Sequence, residues 1–302
     1  MAEDVSPTVA RRHLRLALRE AREAADLTQL EVAEQMEWSL SKVIRIENGD
    51  VRISPNDLRP MLTLLNVKDR ATVAELLAFA KIARTRQRAA WYHAPEMRVH
   101  LTEALTRLIE FEAEAVEIRY HQVWFMPGPL QTPEYAHANL AIYHDDIPEP
   151  TRHYRALARE RRRETVLARL GSLQIYALLD ESVFLRPLGG PAVFADQLKS
   201  VYDLAVAGKI KVRMIPFASY SAVTNNATFD LLTLQAGNPG SDVLYHETGL
   251  GDEIVEGGTS TKKHHERFDK IWNVAATEED TINFMHGRIK ELEAQIRDRG
   301  NT

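Results

Sequence analysis

Three groups of residues combine side-chain type and spacing in a way that can do chemistry. Between Ser39 and Asn48, the residues Leu40, Ser41, Ile44, Arg45 and Asn48 fall on one face of a helical period, opposite Val43 and Ile46. Arg45 suits the edge of a guanine, arginine's commonest base partner, and Leu40 and Ile44 offer aliphatic surface to a thymine methyl. Lys42 suits a phosphate, and Arg52 is either a backbone contact or a solvated loop charge. The second group is Asp180-Glu181 with Arg186 and Glu247. Successive residues of a strand face opposite sides, so the Asp180 and Glu181 carboxyls are not expected to share a proton. These four residues line a pocket or partner groove, or they cap strand ends and pair with nearby arginines. The third group is His264-His265-Glu266. Adjacent histidines on a helix splay by about 100° and do not converge as the i, i+4 pair of a zinc site does. Solvated helix surface is expected there, and no metal.

The chain has no G-x-S-x-G elbow, no G-x-x-x-x-G-K-[ST] loop and no G-x-G-x-x-G. Without cysteine it has no thiol nucleophile, disulfide or cysteine-held zinc. No enzymatic activity, catalytic residue or cofactor is expected.

The outward face of 39–48 needs a scaffold, and the flanking sequence supplies one. Leu14, Leu18, Ala21 and Ala25 recur as a helical stripe, with Arg15, Arg19 and Arg22 beside it. Thr28-Gln-Leu-Glu31 is a capping box that starts a second helix near Gln29, turning Leu30, Ala33 and Met36 inward. Ser39 caps a third helix that ends at Gly49. Ser54-Pro55-Asn56-Asp57 opens a fourth, with Leu58, Leu62 and Leu65 on its face, and a fifth runs from Asp69 to about Arg88. Two short helices joined by a tight turn are the helix-turn-helix layout. Ala33 sits at the crossing and Val43 and Ile46 bury the rear. The outward face is then free to enter a major groove about 12 Å wide.

The stretch LREAREAADLTQLEVAEQMEWSLSKVIRIENGDVRISP resembles the xenobiotic-response-element type of phage-repressor-like helix-turn-helix domain, most specifically in its leading T-Q and its R-I-E-N-G tail. The resemblance implies that Gln29 holds a phosphate, that Leu40, Ser41, Lys42 and Arg45 approach bases, and that Asn48 and Arg52 meet the backbone. It also implies an Arg22–Glu47 pair behind the recognition helix that fixes its angle. Glu37 departs from the pattern, standing at a turn position where the family favours glycine.

Past Lys81–Arg88, the run Trp91-Tyr-His-Ala-Pro95 marks a boundary. The expected organisation is a DNA-binding domain over 1–80, a linker or helix extension over 81–96, and a regulatory α/β domain over 97–302. A long helix is expected from about Met97 to Tyr120, an arginine-rich helix over Arg152–Arg169, and helices near Ala192–Val206 and Glu278–Arg297. The seven arginines of 152–169 form a solvated face, an anionic partner surface or extra DNA contacts. Strands are expected at Leu173–Leu179, Lys211–Ile215, Phe229–Leu234, Val243–His246 and Glu253–Val255. The fold class is α+β multidomain: a five-helix repressor-like domain, then an α/β domain with a mixed sheet of about five strands. FMPGPLQTPEY (125–135), ALLDESVFLRPLGGP (177–191), VRMIPF (212–217) and VLYHET (243–248) resemble the C-terminal domain of an actinobacterial, antitoxin-like regulator family. That resemblance implies a cytoplasmic transcription regulator, commonly encoded beside a small protein that it binds.

The charge balance differs mildly between the two parts of the chain, too little by itself to assign them different partners. Residues 1–90 carry 15 basic against 13 acidic side chains and the remainder 23 against 30. No apolar run approaches the roughly 18 residues of a membrane span, and MAEDVSPTVARR lacks the apolar core of a signal peptide, so a cytoplasmic chain without membrane contact is expected. The expected partners are double-stranded DNA, a second copy of the chain and a small protein encoded nearby, with a small-molecule effector as a further option. One recognition helix reads too few base pairs for specificity, which is the reason for the homodimer. The 97–120 and 278–297 helices are the candidate dimer surfaces. The alternatives are a ligand-sensing or enzymatic C-terminal domain with DNA binding secondary, or the antitoxin of a toxin–antitoxin pair.

Overall fold

The computed structural model describes residues 7–49, 51–84, 90–219, 228–234, 242–248 and 251–300. The chain divides into two compact units, 1–90 and 91–302. Part of the expected 81–96 linker, residues 85–89, lies outside the described residues.

The first unit is helical: α1 (Pro7–Ala24), α2 (Gln29–Gln35), α3 (Leu40–Asn48), α4 (Pro55–Leu64) and α5 (Arg70–Ile82). Each of the last four begins at a side-chain cap, from Thr28, Ser39, Ser54 and Asp69 in turn, which satisfies amides that the first turn leaves free. Leu14, Leu18, Val32, Ala33, Val43, Ile46, Leu58, Met61, Leu62 and Leu76 make one core. Leu30 does not join it. It is 52% exposed, and Val32 takes the inward position beside Ala33.

The second unit contains α6 (Pro95–Arg98), α7 (Glu103–Glu114), β1 (Glu117–Gln122), α8 (Pro133–Ala141), α9 (Glu149–Ala168), β2 (Gln174–Asp180), α10 (Glu181–Leu185), α11 (Pro191–Val206), β3 (Lys211–Ile215), β4 (Phe229–Thr233), β5 (Asp242–Thr248), β6 (Gly251–Glu256), α12 (Gly258–Val274) and α13 (Glu278–Gly300). Its mixed six-stranded sheet has the order β3-β2-β1-β4-β5-β6. The β1–β2 and β2–β3 pairs are parallel, and β4, β5 and β6 continue antiparallel from β1.

The long helix expected over Met97–Tyr120 is three elements instead. Thr102 caps α7 at Leu105, Ala115 turns extended at ψ 140°, and Glu117–Gln122 becomes a central strand. The 111–115–118 spacing fits a helix, but Ile118 and Tyr120 also alternate, and pairing with strands on both sides selects that second period. This strand brings the sheet to six.

Registry puts Tyr176, Leu178, Ile215, Phe229, Leu231 and Leu244 on one face, where Phe268 and Ile271 of α12 cover them. Ile118, Tyr120, Ala177, Asp230, Tyr245 and Glu247 point to the other face. At the β3 edge, Met214 accepts from the amide of Ala276 and donates its own amide to Thr281, so the edge is closed to another strand.

Candidate nucleic-acid interface

Two local devices shape the turn between α2 and α3. Thr28 and Glu31 complete the capping box, with Glu31 accepting from the Thr28 amide at 2.7 Å and the Thr28 hydroxyl accepting from the Glu31 amide at 3.2 Å. The Thr28 amide, and after it the Thr28 hydroxyl donating to the same carboxylate oxygen at 2.7 Å, hold the Glu31 carboxyl below its usual range. At the other end α2 closes in a Schellman motif: the Trp38 amide donates to Ala33 O at 2.8 Å and the Glu37 amide to Glu34 O at 3.1 Å. The motif needs a left-handed residue, and Glu37 supplies it at φ 54°. That conformation costs a non-glycine residue about 1–2 kcal/mol, of which glycine's extra unfolded-state entropy returns roughly half. Glu37→Gly is therefore expected to raise stability by about 0.5–1 kcal/mol. A urea midpoint that stays put or falls, at unchanged slope, would refute this.

Beyond Ser39, whose hydroxyl accepts from the Lys42 amide at 3.2 Å, α3 runs to Asn48 and ends at Gly49 with φ 85°. Glycine is needed twice over there, since a Cβ would also lie 3.0 Å from the Arg15 Cδ. Val43 and Ile46 are buried behind α3. Ser39, Leu40, Ser41, Arg45 and Asn48 are exposed, Ile44 and Lys42 are half-buried, and Arg52 lies exposed in the following loop.

The angle of α3 is set from behind. Arg22 Nε donates to Glu47 Oε1 at 2.6 Å and Nη2 to Oε2 at 3.1 Å, while Nη1 donates to Leu27 O at 2.9 Å. Gln29 Nε2 adds a third bond to the carboxylate at 2.8 Å. The Glu47 side chain is fully buried, and its hydrogen bond raises the Arg22 pKa despite desolvation. Gln29, read from sequence as a phosphate ligand, thus spends one amide hydrogen inside the fold and keeps one to offer outward. Lys42 is also engaged: its ammonium lies 3.6 Å from Asp57 Oδ2 and 3.6 Å from the centroid of the Trp38 ring. The Arg45 and Arg52 side chains have no hydrogen bond or ion pair among the described residues.

The other sequence-derived candidates separate. Asp180 caps α10 at the Ser182 amide, 2.9 Å, and Glu181 accepts from the Phe217 amide at 2.7 Å. Arg186 lies over the Trp124 ring at 5.5 Å. Glu247 is not part of this group. It sits on β5, three strands from Asp180, and on the opposite face of the sheet. His264 and His265 are not solvated surface: His264 packs edge-on against Phe229 and His246 at 5.0 and 4.9 Å, and His265 lies 3.7 Å from Asp242. Among the described residues no group of three or more histidines and acids is arranged to hold a metal.

Nor are the arginines of 152–169 mainly a solvated face. Arg162 Nε and Nη2 make a bidentate pair with Glu112 at 2.8 and 2.7 Å, and Arg169 donates to Glu112 O and Ala115 O at 2.7 and 2.6 Å. Arg163 reaches Ser200, and Arg152 reaches His144 O and Ile147 O. The signal was present as a stripe, Arg155, Arg159, Arg162, Val166 and Arg169, spaced like the buried side of a helix.

The chain matches two family models. Residues 13–76 match a helix-turn-helix domain, and 105–287 match a domain of unknown function, DUF5753. The chain belongs to the DUF5753 family. No curated protein and no solved structure matches it. The first match spans α2, α3 and the Arg22–Glu47–Gln29 brace of this DUF5753 member, and the second spans its whole sheet. The helix-turn-helix domain supports a DNA-binding regulator. None of the described helices is long and apolar enough to cross a membrane.

Proposed function

We propose that this protein is a sequence-specific transcriptional regulator of the xenobiotic-response-element type that places α3 in the major groove and acts as a homodimer without catalysing a reaction. The observation that carries the reading is the contrast across α3: its rear is locked by Val43, Ile46 and the buried Glu47, while Ser41, Arg45 and Asn48 stand exposed on the front. Arg45 reads a base, with the aliphatic groups of Leu40 and Ile44 beside it for thymine methyls. Gln29, Asn48 and Arg52 hold phosphates and set the register. Lys42, drawn toward Asp57, serves as a backbone contact. Two copies reading half-sites about 34 Å apart supply the specificity that one short helix lacks.

The C-terminal unit serves dimerisation and the binding of a small protein, as in antitoxin-like actinobacterial regulators. The exposure of two large aromatic side chains, Trp124 at 57% with Arg186 over its indole and Phe217 at 63%, supports the protein partner.

Gel-shift titration against the DNA upstream of the chain's own coding sequence tests the front of α3. Arg45→Ala is expected to cost about 1–3 kcal/mol and to relax preference at one base position. An unchanged base preference in that variant would remove Arg45 as a reader.

A further inference from the structure

Lys42 differs from the other cations of the DNA-reading face in being engaged before DNA arrives. The Arg45 and Arg52 side chains have no hydrogen bond or ion pair among the described residues. The Lys42 ammonium is held from two sides, 3.6 Å from Asp57 Oδ2 and 3.6 Å from the centroid of the Trp38 ring. Both holders are themselves fixed. Trp38 packs against the helical core, and its amide donates to Ala33 O at 2.8 Å. Asp57 lies in the first turn of α4, where Pro55 follows the Ser54 cap and the Ser54 hydroxyl accepts from the Asp57 amide at 3.0 Å. An acid there suits the positive end of the helix. It also places a carboxylate at the rim of a surface assigned to phosphates, against a lysine whose side chain is 35% exposed. Among the described residues, Lys42 is the only cation paired with that carboxylate.

Non-specific binding is a sum of phosphate contacts that any mobile cation near the duplex can make, and it is the background against which an operator is found. A lysine closed onto an acid adds little to that sum, because the pair is neutral and the carboxylate repels the same phosphates. It contributes where a phosphate is held close enough to take the ammonium over, as when base contacts from Ser41 and Arg45 seat α3 at full depth. On the DNA-reading function proposed above, on which this inference rests, we propose that Asp57 is a positioning residue that sets specificity. With Trp38 it holds Lys42 back from phosphates in loosely seated complexes and gives it up to the backbone of the cognate duplex. Asp57 acts through Lys42 without touching a base.

Fluorescence-anisotropy titration of the full chain against two duplexes tests this. One is the duplex that the parent chain enriches from a random pool, and the other is a random-sequence duplex of the same length. Asp57→Asn is expected to tighten binding to the random duplex about five- to tenfold and to steepen its salt slope by about 0.9, the contribution of one further phosphate. The enriched duplex should gain less, so the ratio of the two affinities falls about threefold or more. Ser54 bonds to the backbone amide of Asp57 and not to its carboxylate, so the cap survives and the variant is expected to fold. In a Lys42→Ala background, Asp57→Asn should move both duplexes alike and leave the ratio unchanged, since no ammonium remains to be released. An acid that only repelled DNA or only steadied α4 would change the ratio by the same factor with Lys42 present or absent. The proposal is overturned if Asp57→Asn leaves the ratio unchanged in the parent chain, or lowers it as far in the Lys42→Ala background. A parent chain that enriches no duplex overturns the DNA-reading function itself, and this proposal with it.

Discussion

Glu47→Ala is expected to destabilise the helical unit by about 3–5 kcal/mol, more than any change on the exposed face of α3. The reason is what it leaves behind. The carboxylate accepts three charged or polar donors, from Arg22 Nε, Arg22 Nη2 and Gln29 Nε2, and its side chain is fully buried. Truncation strands the Arg22 guanidinium, whose side chain is only 11% exposed, with Leu27 O at 2.9 Å and the exposed Glu23 carboxylate at 3.7 Å as its remaining partners. Arg22→Lys should not rescue a bidentate site, since an ammonium cannot present two parallel donors. Replacing the pair together, Arg22→Met with Glu47→Leu, should cost less than Glu47→Ala alone, because no buried charge remains. DNA affinity should nonetheless fall in the double variant if the pair sets the angle of α3. Chemical unfolding and gel-shift of the same variants separate the two effects. A Glu47→Ala protein within about 1 kcal/mol of the parent would show that water reaches the pair and that it does not brace the helix.

In the C-terminal unit the corresponding expectation is a loss of about 3–5 kcal/mol for Glu112→Ala. Glu112 and Arg162 are 3% and 8% exposed and meet through two parallel bonds. Burial alone would draw the Arg162 pKa down, and the Glu112 charge and hydrogen bond outweigh it and hold it up. Removing the carboxylate leaves that cation against Tyr120 and Tyr245, in a space where even a methyl at Gly128 would lie 3.2 Å from its Nη1. Glu112→Gln keeps the shape and one acceptor, so it should lose less than Glu112→Ala. Equal losses in the two variants would mean that packing, and not the charge pair, supplies the stability. A small loss in both would mean the pair contributes nothing net.

What was legible in the sequence was local. Thr28-x-x-Glu31, Ser39, Ser54-Pro55 and Asp69 announce the starts of α2 to α5, because a cap is satisfied within the next three residues and needs no distant partner. The exposed front of α3 followed from the period of Val43 and Ile46. Leu30 was misread because one helical stripe is wide enough to admit it, and the choice between Leu30 and Val32 depends on where α2 meets its neighbours. Glu117–Gln122 was misread for a related reason. Its six residues fit two periods, and only strands more than fifty residues away decide between them.

The same division holds for the functional residues. The amino-acid order by itself determined that a capped pair of short helices presents Ser41, Arg45 and Asn48 outward, since capping and periodicity act over a few residues. Tertiary structure alone decided that Lys42 leans on Asp57 and Trp38, that Glu247 parts from Asp180, and that Arg162 of α9 turns inward to Glu112 and Tyr120. Charge and burial are properties of the assembled neighbourhood. A guanidinium reads as solvated until a strand from elsewhere in the chain brings the carboxylates and hydroxyls that let it be buried.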